Sequence, residues 1–291
     1  MNYDGDIIRP PSEADSIIIQ VTVDCSHNKC TFCAAYKDNG KNFRIRTDTE
    51  ITENLVFAAR HCGNQKKVFL ADGDALILSQ KRLLRIFDLV KQHLPHVSRV
   101  SLYGNAKAIR SKTITELKEL KALGLHRIYM GLESGDDEIL SKICKGETAD
   151  TMVEAGLLVR SAGIFLSVTV LLGIAGVAGS IRHAQESARV LSKMQPKQIA
   201  ALCLMPLSNT PLGQQYEDGT FQLPDARALL IELQELISNI SCDKVQFMAN
   251  HASNYLPVSG RLIRDKDKLL ANIKLALQGK KALVPEQFRA L

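Results

Sequence analysis

Short apolar runs rich in β-branched residues recur along the chain, and between them apolar residues return every three to four positions. Ser16 to Val23 (SIIIQVTV) reads as a buried strand, and Thr47 to Cys62 as the helix that follows it. The alternation then repeats. Strands are predicted at Lys67 to Ala71, Val97 to Tyr103, His126 to Leu132, Ile164 to Leu172 and Gln198 to Met205. Helices are predicted at Ser79 to Leu94, Lys112 to Leu123, Thr148 to Ser161, Ser180 to Met194 and Pro224 to Ile240, with Gly124 stopping the second of these.

Strands that alternate with helices in this way form parallel βαβ units, whose crossovers cover both faces of the sheet. The unusual residues follow several different strand ends, at Cys25–Cys33, Asp72–Asp74, Glu133–Gly135 and Gly173–Gly176. Parallel α/β folds bind ligands at the C-terminal strand edge, and a barrel-like curl gathers such loops at one mouth. The expectation is therefore an α/β fold, a partial TIM barrel of six βα units over residues 16–210. Residues 1–15 form an N-terminal segment, and 211–291 a helical extension, with a last helix near Lys266 to Leu277, that closes the barrel.

Composition narrows the class. The chain has 291 residues, 45% hydrophobic and 23% charged, the balance of a globular protein rather than a disordered or fibrous one. The longest apolar stretch, Phe165 to Ala178, is too short to span a bilayer and contains Gly173 and Gly176. The polar, acidic start Met-Asn-Tyr-Asp-Gly-Asp lacks a secretory pattern, so a cytoplasmic location is expected. The net charge of +6 favours an anionic substrate only slightly.

Seven cysteines divide unequally: Cys25, Cys30 and Cys33 fall within nine residues, and Cys62, Cys144, Cys203 and Cys242 are scattered. The spacing Cys-x4-Cys-x2-Cys suits three thiolates holding three irons of a [4Fe–4S] cluster and leaving the fourth iron open. A zinc knuckle completed by His27 and a group of buried structural thiols are the alternatives, although zinc usually takes a second ligand pair further along the chain. The scattered cysteines read as buried thiols, and of the four Cys203, near the sixth strand end, is the best placed for a catalytic role.

These cysteines after the first strand, Phe32 just before the last of them, and the later strand-end motifs together resemble the radical S-adenosylmethionine (SAM) superfamily over residues 16–210. The commonest spacing in that superfamily is Cys-x3-Cys-x2-Cys; here the loop has one more residue before Cys30. The resemblance implies that SAM chelates the open iron and is reductively cleaved to methionine and a 5′-deoxyadenosyl radical, which abstracts hydrogen from a substrate. It also implies a reducing partner such as flavodoxin or ferredoxin.

The resemblance extends residue by residue. Asp72-Gly73-Asp74 is similar to the superfamily's Gly-Gly-Glu element, which receives the methionine ammonium, though an Asp-Gly pair also makes an ordinary turn. Gly131-Leu132-Glu133-Ser134-Gly135 resembles segments of the branch that includes methylthiotransferases and Elongator-type enzymes, with Glu133 and Ser134 toward SAM; Glu133 alternatively caps the next helix. Leu172 and Gly173 are placed to read the adenine edge, Phe32 or Tyr36 to cover its ring, and Ser167 to bind the SAM carboxylate. In the polar stretch Asn250 to Pro257, His251 is the candidate for proton transfer, Tyr255 for hydrogen donation, and Asn254 for substrate binding, against the alternative of a self-capped turn.

The reading is thus a radical SAM enzyme with one cluster, acting on a small or anionic substrate. An iron–sulfur electron carrier lacks a use for the strand-end motifs. A zinc-dependent nucleic-acid module is disfavoured by the absence of Trp, the 5% aromatic content and the lack of a basic stripe.

Overall fold

The computed structural model describes residues 1–36 and 42–290. In chain order the strands are β1 (Ile17–Gln20), β2 (Thr22–Val23), β3 (Arg44–Ile45), β4 (Lys67–Ala71), β5 (Arg99–Tyr103), β6 (Leu125–Glu133), β7 (Phe165–Leu172), β8 (Gln198–Cys203), β9 (Gln246–Ala249) and β10 (Val258–Arg261). The helices are α1 (Asp48–Cys62), α2 (Gln80–His93), α3 (Ala106–Arg110), α4 (Ile114–Ala122), α5 (Asp137–Lys142), α6 (Ala149–Ser161), α7 (Gly176–Met194), α8 (Pro211–Glu217), α9 (Ala226–Asn239) and α10 (Leu262–Leu277). Eight strands form one sheet in the order β1-β4-β5-β6-β7-β8-β9-β10, and β2 with β3 makes a separate ladder. All six predicted strands of the βα units are present. The C-terminal region differs from the expected helical extension, because β9 adds to β8 in parallel and β10 returns antiparallel to β9.

The chain divides into two compact units whose boundaries fall in the cysteine loop and inside β6, α6 and β7. The first holds residues 1–28, 33–130 and 158–166. In it β1, β4 and β5 pair in parallel with simple registers such as Ile19↔Leu70 and Leu70↔Leu102. Ile19, Val68, Phe69, Leu70, Leu102 and Ile128 are fully buried, the pattern of strands covered on both faces; each such side chain contributes about 1.5–3 kcal/mol by leaving water. Capping boxes start two helices: Thr47 with Glu50 at α1, and Thr113 with Glu116 at α4. Each satisfies otherwise unpaired amides at a helix start. The β2–β3 ladder, Thr22↔Ile45 and Val23↔Arg44, closes the base of the cysteine loop.

The second unit holds residues 29–32, 131–157 and 167–291. Strands β7 and β8 pair in parallel from Ser167↔Gln198 to Leu172↔Cys203. Helix α7 begins at Gly176, four residues ahead of the predicted Ser180, and no side chain caps it. Its first turn lies inside the apolar stretch, where no polar residue marks a start. Helix α9 packs along α7, and α10 packs against α9 and β10. No helix among the described residues is long and apolar enough to cross a membrane.

Candidate active site

In the first unit, the cysteine loop leaves β2 through Asp24, which has φ +63°. That left-handed conformation is uncommon for a residue with a side chain. Asp24 is buried, and its Oδ2 has no hydrogen-bond partner. Cys25 and Cys33 of this unit are half-buried, as is Cys30, which is counted with the second unit, and none of the seven cysteines is in a disulfide. Three partly accessible thiols on one loop suit a cluster as donors. Among the described residues no three Cys, His, Asp or Glu side chains are close enough to share one metal ion; in a cubane each thiolate takes its own iron.

The segment after β4 meets this loop within the same unit. The Tyr36 hydroxyl donates to Asp72 Oδ1 at 2.6 Å, and the Asp72 amide donates to Thr22 Oγ1 at 3.1 Å. Burial pushes the Asp72 carboxyl up to about 6, against the hydrogen bonds from Tyr36 and Gln20, which lower it. Burial and the Asp72 charge raise the Tyr36 phenol. A Cβ on Gly73 would stand 2.7 Å from the Tyr36 ring, so only glycine admits this stacking of ring on backbone. Asp74 is fully buried, and its carboxylate accepts from Ser26 Oγ (2.6 Å), Asn105 Nδ2 (2.7 Å) and the Asn105 amide (3.2 Å). Asp74 therefore braces the cysteine loop against the start of α3. Asn105 carried no sequence signal beyond its N-cap position.

In the second unit, Thr31 between Cys30 and Phe32 is pinned on both sides: its amide donates to the Ile143 carbonyl (3.0 Å), and its carbonyl accepts from the Leu212 amide (2.9 Å). Phe32 is half-buried. Glu133 ends β6 with φ +61°, and Lys145 Nζ pairs with its Oε1 at 3.0 Å. A Cβ on Gly131 would lie 2.0 Å from the same Oε1, so the carboxylate folds back over the glycine. Lys145 was not foreseen by sequence reasoning.

Ser134 turns inward. Its hydroxyl meets His183 Nδ1 at 2.8 Å and accepts from the Asp136 amide at 3.1 Å, which occupies the group expected to face SAM. His183 Nε2 lies 3.5 Å from Glu232 Oε1; that oxygen accepts the Gly173 amide at 2.8 Å, and Oε2 accepts the Ser180 hydroxyl. His183 and Glu232 are both fully buried. Burial lowers His183 to about 4 and raises Glu232 to about 7, so both are driven toward their uncharged forms.

This arrangement changes the part expected of the β7 end. The Leu172 carbonyl accepts the Leu204 amide at 2.9 Å, and the Gly173 amide is taken by Glu232. Gly173 has φ +86°, and a Cβ there would press on Leu229 at 3.0 Å. The adenine-reading groups are thus engaged within the protein. Ser167 donates to Gln198 Oε1 at 2.9 Å near the beginning of β7, five residues or about 16 Å from the strand's C-terminal edge. Its hydroxyl is thus engaged at the opposite end of the strand from the one where parallel α/β folds bind ligands.

The polar stretch after β9 is internally bonded. Asn254 is buried, accepts from Cys203 Sγ (3.1 Å) and donates to the Ala201 carbonyl (2.9 Å), which ties it into the β8 end. Burial raises the Cys203 thiol to about 12, leaving it a poor nucleophile. His251 Nδ1 accepts the Ser253 amide at 3.2 Å, and burial lowers its pKa. The Tyr255 hydroxyl donates to Glu286, and the phenol is pushed up to about 12, chiefly by burial.

Comparison with known proteins places the segment that carries the cysteine loop and these strand ends in one family. The model of the radical SAM superfamily matches residues 19–181. An uncharacterized methyltransferase of Pyrococcus horikoshii is 26% identical over 158 residues, which are 54% of this chain and 32% of that protein. The chain spans 32–42% of the length of the curated relatives it matches. Among solved structures, the radical SAM methyltransferase TsrM of Kitasatospora setae gives a TM-score of 0.57 at 17% identity, covering 69% of this chain and 39% of its own. Coproporphyrinogen III oxidase of Escherichia coli also gives 0.57, at 15% identity, covering 77% and 51%. These structural likenesses show the fold, that of the partial α/β barrels of radical SAM enzymes.

Proposed function

Because the chain belongs to the radical SAM superfamily, we propose that Cys25, Cys30 and Cys33 hold one [4Fe–4S] cluster and that this enzyme cleaves SAM reductively to act on a small or anionic substrate. The superfamily's cofactors are the cluster and SAM. When bound, they supply a 5′-deoxyadenosyl radical for hydrogen abstraction. The observation that carries the reading is the coincidence of the Cys-x4-Cys-x2-Cys loop with the matched residues 19–181.

The chain's own residues divide the remaining work. Asp72, backed by Tyr36, is the acceptor for the methionine ammonium of SAM, since a buried carboxylate favours a cation over a neutral ligand. Gly73 keeps the backbone low enough for the Tyr36 ring to lie against it. Glu133, steadied by Lys145, offers its second carboxylate oxygen to the ribose hydroxyls. Asp74 positions the loop through Ser26. Phe32 covers part of the adenine ring, and His251 moves protons. A low-potential reductant such as flavodoxin or ferredoxin completes the cycle in the cytoplasm. The matched proteins carry different reactions in their names, a methyltransferase and an oxidase among them, so the superfamily does not by itself specify the substrate.

Anaerobic reconstitution followed by SAM and a strong reductant tests the reading. The expected outcome is about four irons per chain and release of 5′-deoxyadenosine, both lost in Cys30→Ala. A reconstituted protein that never cleaves SAM overturns it.

A further inference from the structure

Positive charge is unevenly spread along the chain. Residues 261–281 hold seven Lys and Arg against two acids, so this stretch supplies five of the six net positive charges. No long basic run announces it, because the cations are spaced along α10 and the turn that follows. Within the second unit, Arg261, Arg264, Lys268 and Lys281 line one cavity of about 530 Å³, which has β10 as its other wall. All four are exposed, so the cavity is open to a ligand from solvent.

Asp265 ties the cavity walls together. Its carboxylate accepts the Arg261 amide at 2.8 Å and both Nε and Nη2 of Arg264 at 2.8 Å, and these bonds, that from Arg264 first, hold it well below the usual carboxylate range. Gly260 leaves room for it, since a Cβ there would stand 2.9 Å from the Asp265 Cβ. Lys281 Nζ donates to Asn272 Oδ1 at 3.1 Å, which fixes the ammonium against α10. Asp265 cancels one of the four positive charges, and Arg261 and Lys268 form no ion pair among the described residues, so the cavity retains a net three. Like charges gathered round one space repel one another and favour a multiply charged anion.

Size and lining narrow the ligand. Small-molecule sites run from about 300 to 1,000 Å³, and this cavity falls among them. Its apolar lining is confined to Pro257, Val258 and Leu269, and no aromatic side chain offers a platform on which a base could stack. Guanidinium forks and ammonium groups match phosphate oxygens in charge and hydrogen bonding. Consecutive phosphates bring several such charges within one short ligand.

The cavity is separate from the mouth where substrate is expected. Arg261 pairs with Gln246, and Gln246 with Gln198 at the start of β8, whereas Cys203 ends that strand, five residues or about 16 Å further on. Parallel α/β folds place their substrates at the C-terminal strand edge. The groove therefore opens toward the other end.

We propose that the cavity between β10 and α10 is a second ligand site, which binds a small molecule carrying two or more linked phosphates through Arg261, Arg264, Lys268 and Lys281. It does not depend on the radical chemistry proposed above.

The test is calorimetric titration of the reconstituted protein with sodium tripolyphosphate, in sodium chloride at constant ionic strength. Wild type is expected to bind at one site, with a matching rise in unfolding temperature. Arg261→Gln combined with Lys268→Gln should weaken binding about tenfold or more. Lys274→Gln combined with Lys280→Gln removes the same charge from the same stretch but outside the cavity lining, and should leave affinity within about twofold of wild type. Should the first pair fail to fold, Lys268→Gln alone decides, with about threefold weaker binding expected. A nucleoside triphosphate should compete with tripolyphosphate, and saturating SAM should not. Absence of saturable binding in wild type, equal losses in the two double variants, unchanged affinity in folded Lys268→Gln, or displacement by SAM would each overturn the proposal. Binding of a single-stranded RNA without binding of tripolyphosphate would also overturn it and assign the face to nucleic acid. Formation of 5′-deoxyadenosine, measured on the same preparation, reports separately on the radical chemistry.

Discussion

Ser26 Oγ donates to Asp74 Oδ2 at 2.6 Å, so the residue beside Cys25 is held by the acid that ends the Asp72–Asp74 motif. The same carboxylate takes the Asn105 side chain and amide. Hydrogen bonds to a charged acceptor contribute about 1.5–3 kcal/mol each, and donors left buried without one cost more. Asp74→Ala is therefore expected to destabilise the protein by roughly 3 kcal/mol or more and to lower the iron retained after anaerobic reconstitution. Ser26→Ala removes one of these bonds and should have the smaller effect on both. Full iron content in a folded Asp74→Ala protein would show that the loop is positioned without this brace.

The buried pair His183 and Glu232 makes opposite contributions to stability against pH. Glu232 is raised from 4.5 to about 7, so it stabilises the fold most at low pH and loses that contribution as pH rises to about 7. His183 is lowered from 6.5 to about 4, so its contribution is present above 6.5 and is lost as pH falls to about 4. Between about pH 4.5 and 6.5 the two slopes oppose each other in the wild-type protein. Glu232→Gln keeps an acceptor for Gly173 and a partner for Ser180, and it should unmask the His183 slope: stability rising with pH across this window. Denaturant unfolding at a series of pH values measures it, and a variant whose profile matches wild type would count against an uncharged pair.

Much of this was legible in the sequence because buried parallel strands leave compact β-branched runs, as in SIIIQVTV and FLSVTVLL. Strands β9 and β10 were missed because QFMA and VSGR are short and mixed, and their pairing is decided by the neighbouring β8. The three closely spaced cysteines, proposed to hold the cluster, stood out by spacing alone. Their support did not: β3 has only two residues, and Asn105 resembles any helix cap. Glu232 offered a signal that went unread, since it sits between Leu229 and Leu236 on the apolar side of α9, where a carboxylate is out of pattern. Ser134, Ser167 and Asn254 were hydroxyl and amide groups near strands, and the sequence does not say which neighbour takes them. Here each is taken by the protein itself.

Gly131 offers a way to move Glu133 without replacing it. A methyl group there would meet Glu133 Oε1 at 2.0 Å and Lys145 Nζ at 3.1 Å, both at the far ends of flexible side chains. Gly131→Ala should consequently fold, with a stability change within about 1 kcal/mol, while displacing the Glu133–Lys145 pair. If Glu133 holds the ribose of SAM, affinity for SAM should fall by about tenfold. Equilibrium binding of SAM to the reconstituted variant measures this. Wild-type affinity would place the ribose elsewhere.

The hydroxyl of Tyr36 provides a sharper test of Asp72, because Tyr36→Phe keeps the ring on Gly73 and removes only the hydrogen bond. Asp72 sits at about 6 through the balance of burial, which raises it, and hydrogen bonds from Tyr36 and Gln20, which lower it. A carboxylate binds an ammonium ion only when ionised, so SAM affinity should rise with pH through about 6 in the wild-type protein. Removing the Tyr36 bond deletes a lowering contribution and moves that midpoint upward, raising the SAM dissociation constant by the largest factor below about pH 6 and by the least above the new midpoint. SAM dissociation constants from pH 5 to 8 in both proteins measure the shift. A Tyr36→Phe profile with the midpoint of wild type would remove Asp72 from the ammonium site, whereas a uniform loss at every pH would assign Tyr36 to SAM directly.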